Sequence, residues 1–141
     1  MTIIRPALEQ DLADILYLNT HSNPHPWAEH HFQAALDNNQ IQVFENNQQI
    51  IACAIWQSVL DEAELHLIIT HHAFRRQGIA QKLIQSFIQE NPHIHKILLE
   101  VRENNQIAIN LYKKQGFKQI GERKNYYLFP IENALIMEKK C

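Results

Sequence analysis

Three groups of residues in this 141-residue chain have types and spacings that could do chemistry. The first is Arg75-Arg76-Gln77-Gly78-Ile79-Ala80, set between an apolar run and a helical repeat. A small-residue turn feeding a helix exposes unpaired N–H groups and the positive end of the helix dipole, which suits a diphosphate. The two arginines would add countercharge, although the same residues also make a tight strand-to-helix turn with solvated arginines. The second is Glu100 in Ile97-Leu98-Leu99-Glu100-Val101, a setting where a carboxylate is unusual. At the carboxyl end of a parallel strand it would face the crevice where α/β sheets bind ligands, and could serve as a general base. It could equally reach solvent, or pair with Arg102 or a lysine. The third is Asn105-x-x-Ala108-x-x-Leu111-Tyr112-x-x-x-Gly116-Phe117. Ala108, Leu111 and Tyr112 share one helical face, so Tyr112 reads as a core residue, or as a proton donor if its hydroxyl opens toward Glu100.

These groups need elements to position them. Ile3 and Ile4 begin a short strand closed by Pro6, and Leu8, Leu12, Ile15 and Leu16 recur at helical spacing. Asn23-Pro24-His25-Pro26 ends that helix, because neither proline can continue it. A second helix buries Trp27, Phe32, Ala35 and Leu36. Two strands, at about 41–45 and 49–59, are joined at Asn46-Asn47, a pair that tolerates positive φ. A strand from Ala63 to Thr70 leads through His71–Gln77 into the helix of Ile79, Leu83, Ile84, Phe87 and Ile88. The run Ile94 to Val101 reads as a strand buried on both faces, so the unit is strand–loop–helix–strand with a right-handed parallel crossover. A helix over about 105–115 ends at Gly116, and strands at about 117–127 and 133–139 close the sheet. The expected class is α/β (α+β), one domain over residues 1–141, with a mixed central sheet of about seven strands flanked by about four helices.

Composition narrows the function classes. With 45% apolar and 20% charged residues the chain can bury a core. The longest unbroken apolar run, Ile50 to Trp56, is far below the ~20 residues of a membrane helix. The start Met1-Thr2-Ile3-Ile4-Arg5-Pro6 lacks the basic and apolar regions of a secretory signal, so a cytoplasmic protein is expected. Cys53 and Cys141 make no disulfide framework. Thirteen basic against fifteen acidic side chains provide no global positive field for nucleic acid. His30-His31, His71-His72 and His93-x-His95 invite a metal reading, but no HExxH or cysteine pair accompanies them, and no metal is expected.

Taken in order, R-x-x-G-x-A, then L-L-E-V, then N-x-x-A-x-x-L-Y-x-x-x-G-F resembles the GNAT superfamily of acetyl-CoA-dependent N-acetyltransferases. The opening Ile4-Arg5-Pro6-Ala7 with Asp11-Leu12 is similar to that family's start. A narrower resemblance, to the RimI-type ribosomal-protein-alanine N-acetyltransferases, rests on four further features. They are His21 with Pro26-Trp27-x-Glu29-x-x-Phe32, Val59-Leu60-Asp61-Glu62-Ala63, Glu100-Val101-Arg102, and Asn125-Tyr126-Tyr127 followed by Ala134-Leu135-Ile136-Met137.

The resemblance implies acetyl-CoA as cosubstrate and a protein N-terminal amine as acceptor. It implies that the backbone of Ile68, Ile69 and Thr70 runs beside the pantetheine, and that Arg76, Gln77, Gly78, Ile79, Ala80 and Gln81 cradle the diphosphate. Asn105 would bond the pantetheine arm, Glu100 would be the base and Tyr112 the acid for the departing thiolate. Trp27, Asp61, Glu62 and Tyr126 are the acceptor-side candidates, with Glu64 adding to an acidic approach for a basic ribosomal-protein tail. Alternatives are the same transfer to a small amine, amino acid or lysine, or a silent CoA-binding module. Two positions depart from the family pattern: His71-His72 stands where Asp-Pro is usual, and the segment Leu128–Asn133 is short.

Overall fold

The structure is a computed structural model that describes residues 1–141. In chain order the elements are β1 (Thr2–Pro6), α1 (Leu12–Ser22), α2 (Glu29–Asp37), β2 (Ile41–Asn46), β3 (Gln49–Val59) and β4 (Glu62–Thr70). They continue with α3 (Ile79–Glu90), β5 (Lys96–Arg102), α4 (Gln106–Lys114), β6 (Lys118–Leu128) and β7 (Ile131–Lys140). The strands form one seven-stranded mixed sheet in the order β1-β2-β3-β4-β5-β7-β6. The chain divides into two compact units, Met1–Trp56 with Leu67–Glu90, and Gln57–His66 with Asn91–Cys141.

In the first unit, period two sorts the strand side chains between layers. Ile41 and Val43 of β2, with Cys53 and Ile55 of β3, join Ile15, Leu18, Phe32, Ala35 and Leu36 of α1 and α2 in one core cluster. Gln42, whose side chain points the other way, donates to the Leu83 carbonyl of α3 and accepts from the Trp56 indole N–H. Trp56 stacks on Phe87 with ring centroids 3.7 Å apart. The strand buried on both faces is therefore β3, in which every residue from Ile50 to Trp56 is buried. Arg5 closes the unit's edge by clamping Asp11 through two bonds of 2.7 and 3.0 Å, which holds the Asp11 carboxyl below its usual range.

In the second unit, β4 pairs in parallel with β5 over Glu62–Leu65 against Lys96–Leu99. Both strands run on past that ladder. β5 also pairs antiparallel with β7 along its whole length, and β7 with β6. The double-sided burial expected for β5 is not what forms. Ile97, Leu99 and Val101 are buried, whereas Leu98 is half-buried and Glu100 exposed. The apolar run arises because β5 needs one full core face and a half-covered second face, and on that second face a carboxylate costs little.

Candidate active site

The diphosphate candidate forms as a turn with two left-handed residues. Arg76 has φ of +66° and Gly78 of +74°. A side chain at Gly78 would meet nothing within 4 Å, so the position needs glycine for its backbone conformation, and open space lies beside it. The Gly78 carbonyl accepts the first bond of α3, from the Lys82 N–H at 3.0 Å. The N–H groups of Gly78, Ile79, Ala80 and Gln81 therefore have no partner within the helix. Open space, a row of donors and the exposed Arg76 fit a diphosphate. Arg75 has a different task, donating to the Ser22 carbonyl at 2.6 Å and tying the turn to the end of α1.

The histidines before this turn are structural. His71 Nδ1 accepts the Ala73 N–H at 3.0 Å and so caps the short turn His72–Phe74. Its ring stacks on His72, and Ser22 Oγ accepts the His72 N–H. Burial first, then His72, Arg75 and His21, push the His71 imidazole below its ordinary pKa. A buried Asn19 grips Trp27 at both backbone groups, accepting its N–H at 2.9 Å and donating to its carbonyl at 2.8 Å. The half-buried Trp27 ring packs against Phe32 at the rim of the core.

In the second unit Glu100 stands on the open face of β5 with its side chain 31% exposed. Tyr126 lies beside this carboxylate, whose hydrogen-bonding pull and charge raise the Tyr126 pKa. Arg123 Nε donates to Glu100 Oε1 at 3.3 Å, and its guanidinium lies 5.7 Å from the Tyr126 ring. Tyr112 is buried on α4 beside Phe117, and burial, with Tyr127 nearby, lifts its phenol well above the usual range. Asn105 precedes α4 and caps it: its side-chain oxygen accepts the Ala108 N–H at 3.2 Å. Only its amide N–H groups remain for a ligand.

Two acceptor-side candidates lie at a distance from Glu100. Glu62 is aligned with Lys96 at the start of β5 and forms an ion pair with it at 3.1 Å. Four residues along the strand separate that point from Glu100, about 13 Å at strand rise. Asp61 precedes Glu62, and its carbonyl accepts the His95 N–H. Both therefore sit at the end of the strand pair away from Glu100. Glu64 is closer, near enough to Tyr126 to raise its pKa, and accepts from His66 at 3.0 Å.

Some residues around this part of β5 carry no local sequence signal. Arg123, and Glu132 as the partner of Arg102, arrive there because β6 and β7 fold back beside β5. Arg102 pairs with Glu132 at 3.2 Å and stacks 4.1 Å above the Tyr127 ring. Cys53 is buried, its thiol pushed up to about 12, and Cys141 is exposed, so neither is bonded to the other. No group of three or more His, Cys, Asp or Glu side chains is placed to hold a metal ion. No helix is long and apolar enough to cross a membrane.

Residues 7–117 match the sequence profile of the acetyltransferase (GNAT) family. The chain is 38% identical to a [ribosomal protein bS18]-alanine N-acetyltransferase of Haemophilus ducreyi, over 96% of this chain and 97% of that protein. It is 34% identical to the enzyme of the same name from Escherichia coli, over 83% and 81% of the two chains. The crystal structure of the ribosomal-protein-S18-alanine N-acetyltransferase from Escherichia coli superposes with a TM-score of 0.91, at 31% identity, covering 99% of this chain and 94% of that one.

Proposed function

This chain belongs to the acetyltransferase (GNAT) family, and on that premise we propose that it acetylates the N-terminal alanine of the small-subunit ribosomal protein bS18. Residues 1–141 act in this reading as one acetyltransferase domain, in the cytoplasm where ribosomal proteins are made. The observation that carries the acceptor is the likeness to bS18-alanine N-acetyltransferases over nearly the full length of both chains. The geometry around Glu100 supports the chemistry.

Acetyl-CoA supplies an activated acyl thioester when bound. The turn Arg76–Gln81 offers its N–H groups to the diphosphate, and the Asn105 amide to the pantetheine arm. Past the last residue of β4 that pairs with β5, the backbone of Ile68, Ile69 and Thr70 is available to run beside that arm and to polarise the thioester carbonyl.

An α-amine has a pKa of about 7.7–8.0, so at pH 7 it arrives mostly as the ammonium ion. The Glu100 carboxylate, partly open to solvent, attracts that cation and takes one proton from it. The neutral nitrogen attacks the thioester carbon, the N–C bond forms and the C–S bond breaks. The nitrogen's second surplus proton goes to the departing sulfur. A thiol of pKa about 8.5 is a stronger acid than a phenol raised above 10, so Tyr112 does not act by ionising outright. It donates a hydrogen bond to the developing thiolate and passes the proton on in concert. Glu100 then releases its proton to water. Neither cysteine is needed for this direct transfer.

Tyr126 and Glu64 are the acceptor-side residues nearest Glu100 in the second unit, with Asp61 and Glu62 farther along the strand pair as candidates for a basic tail. In the first unit the partly exposed Trp27 ring is the remaining acceptor candidate. A peptide panel tests the reading: an Ala-led bS18 N-terminal peptide, its N-blocked form, internal-lysine peptides and small amines, followed by thiol release and intact mass. Acetylation of only the free Ala-led peptide is expected. Turnover of only small amines or lysine side chains would replace the ribosomal acceptor, and thiol release from none would point to a silent CoA-binding module.

A further inference from the structure

Strand β6 does not pair evenly with β7. Arg123 is aligned with Ala134 and Tyr127 with Glu132, so Lys124, Asn125 and Tyr126 together stand opposite Asn133 alone. The three-for-one bulge puts Asn125 in the left-handed region, with φ of +51°. Asparagine tolerates that conformation at lower cost than most residues, but a bulge in an exposed edge strand has no ladder to define its shape. Here the definition comes from the residue opposite. Asn133 Oδ1 accepts the Asn125 N–H at 2.8 Å, and its Nδ2 donates to Glu122 Oε1 at 3.3 Å. One side chain thus bridges the bulge from its middle to the strand before it. The Asn133 carbonyl accepts the Glu103 N–H, which ties the same residue to the chain just past β5. Tyr126, the last residue of the bulge, has its ring 5.7 Å from the Arg123 guanidinium, which itself pairs with Glu100 at 3.3 Å.

We propose that Asn133 is a positioning residue, which locks the β6 bulge in the one shape that places Tyr126 beside the Arg123–Glu100 pair. A side chain on an ordinary strand could not be re-aimed without moving its neighbours, because alternation fixes its face. The bulge frees Tyr126 from that alternation and Asn133 removes the freedom again. The kinetic consequence rests on the acceptor reading given above, whereas the structural consequence stands without it.

Tyrosine-labelled protein, with 13C at Cζ, reports the phenol titrations directly. In the unaltered chain Tyr126 should titrate above the ordinary value of about 10, and Asn133→Ala should bring it back toward that value. An unmoved Tyr126 in Asn133→Ala would overturn the proposal. The double variant Asn133→Asp with Glu122→Gln keeps the acceptor for the Asn125 N–H and reverses donor and acceptor on the second bond. It should titrate like the parent, and Tyr126 displaced as in Asn133→Ala would also refute the lock.

In steady-state assays with the Ala-led peptide, Asn133→Ala and Tyr126→Phe should each raise the peptide KM about five- to tenfold, the worth of one hydrogen bond. The KM for acetyl-CoA should stay within about twofold. If Asn133 acts through Tyr126, the combined variant is no worse than the worse single one; multiplying effects would overturn the proposal. Should Tyr126→Phe leave the kinetics unchanged while Asn133→Ala still shifts the Tyr126 titration, the acceptor role of Tyr126 fails and the hold of Asn133 on it stands.

Discussion

Replacing Glu100 by Gln isolates the base, because the amide keeps an oxygen acceptor and nearly the same shape. What it loses is the ability to accept a proton and the charge that pairs with Arg123. That ion pair joins side chains 55% and 31% exposed, so it contributes at most ~1 kcal/mol to stability. The melting temperature should move by no more than about 4 °C. A positioned general base contributes about 10²–10⁴ in rate, so kcat/KM at pH 7 should fall by that factor, about 2.7–5.4 kcal/mol in barrier. The remaining activity has a signature of its own. Without a base the enzyme must wait for amine that is already neutral, about 10–15% of it at pH 7 and nearly all at pH 9. The variant's rate should therefore climb roughly six- to tenfold over that interval, following the amine's own ionisation. CoA affinity, measured by calorimetry, should stay within about twofold, because the Arg76–Gln81 turn and Asn105 are untouched. Activity within threefold of the parent at pH 7, in a folded protein that binds CoA normally, would remove Glu100 from the base role.

Tyr112→Phe should lower kcat by at least about tenfold with little change in the peptide KM, since the lost hydroxyl acts at bond cleavage; stopped-flow thiol release reads this, and an unchanged kcat would exclude the donor. The His71 cap should give the fold a pH dependence. Its Nδ1 accepts a hydrogen bond, so the imidazole must be neutral, and its folded pKa is lowered below 6.5. A depressed folded pKa means the unfolded chain binds the proton more readily. The cap's stability is thus fully present above about pH 6.5 and lost as pH falls through the lower folded value. His71→Asn keeps an acceptor that does not titrate. Thermal melts between pH 7.5 and 5 should show the parent losing up to ~1 kcal/mol relative to that variant, and parallel melting curves would refute the titrating cap.

Much of the diphosphate turn was legible in the chain because its physics is local. A glycine before an amphipathic helix, preceded by arginines, specifies a left-handed turn and a free helix start over a handful of residues, and Gly78 and α3 adopt it. The two arginines were indistinguishable on that evidence. Arg75 proved to be tied to Ser22, more than fifty residues earlier, and no local pattern carries that contact. The apolar run around Glu100 was misread as doubly buried because composition counts apolar residues without saying which of two faces each one serves. Asp61 and Glu62 are candidates through the resemblance of Val59–Ala63 and through their charge, and only the parallel register with β5 shows how far along the strand pair they lie from Glu100.

The sequence by itself determined the order of elements, the seven strands and four helices, and the three motifs whose spacing marks an acetyltransferase. The elements follow from periodicity, turn chemistry and helix-end geometry, which act between near neighbours, whereas the motifs mark the family by their resemblance to it. Only the tertiary structure decided what surrounds Glu100. Arg123 and Tyr126 come beside Glu100, and Asn133 opposite their bulge, because β7 lies between β5 and β6 and because one bulge breaks the alternation of an edge strand. Such contacts depend on strand order and register, and a single residue's slip in either would turn each of those side chains to the other face.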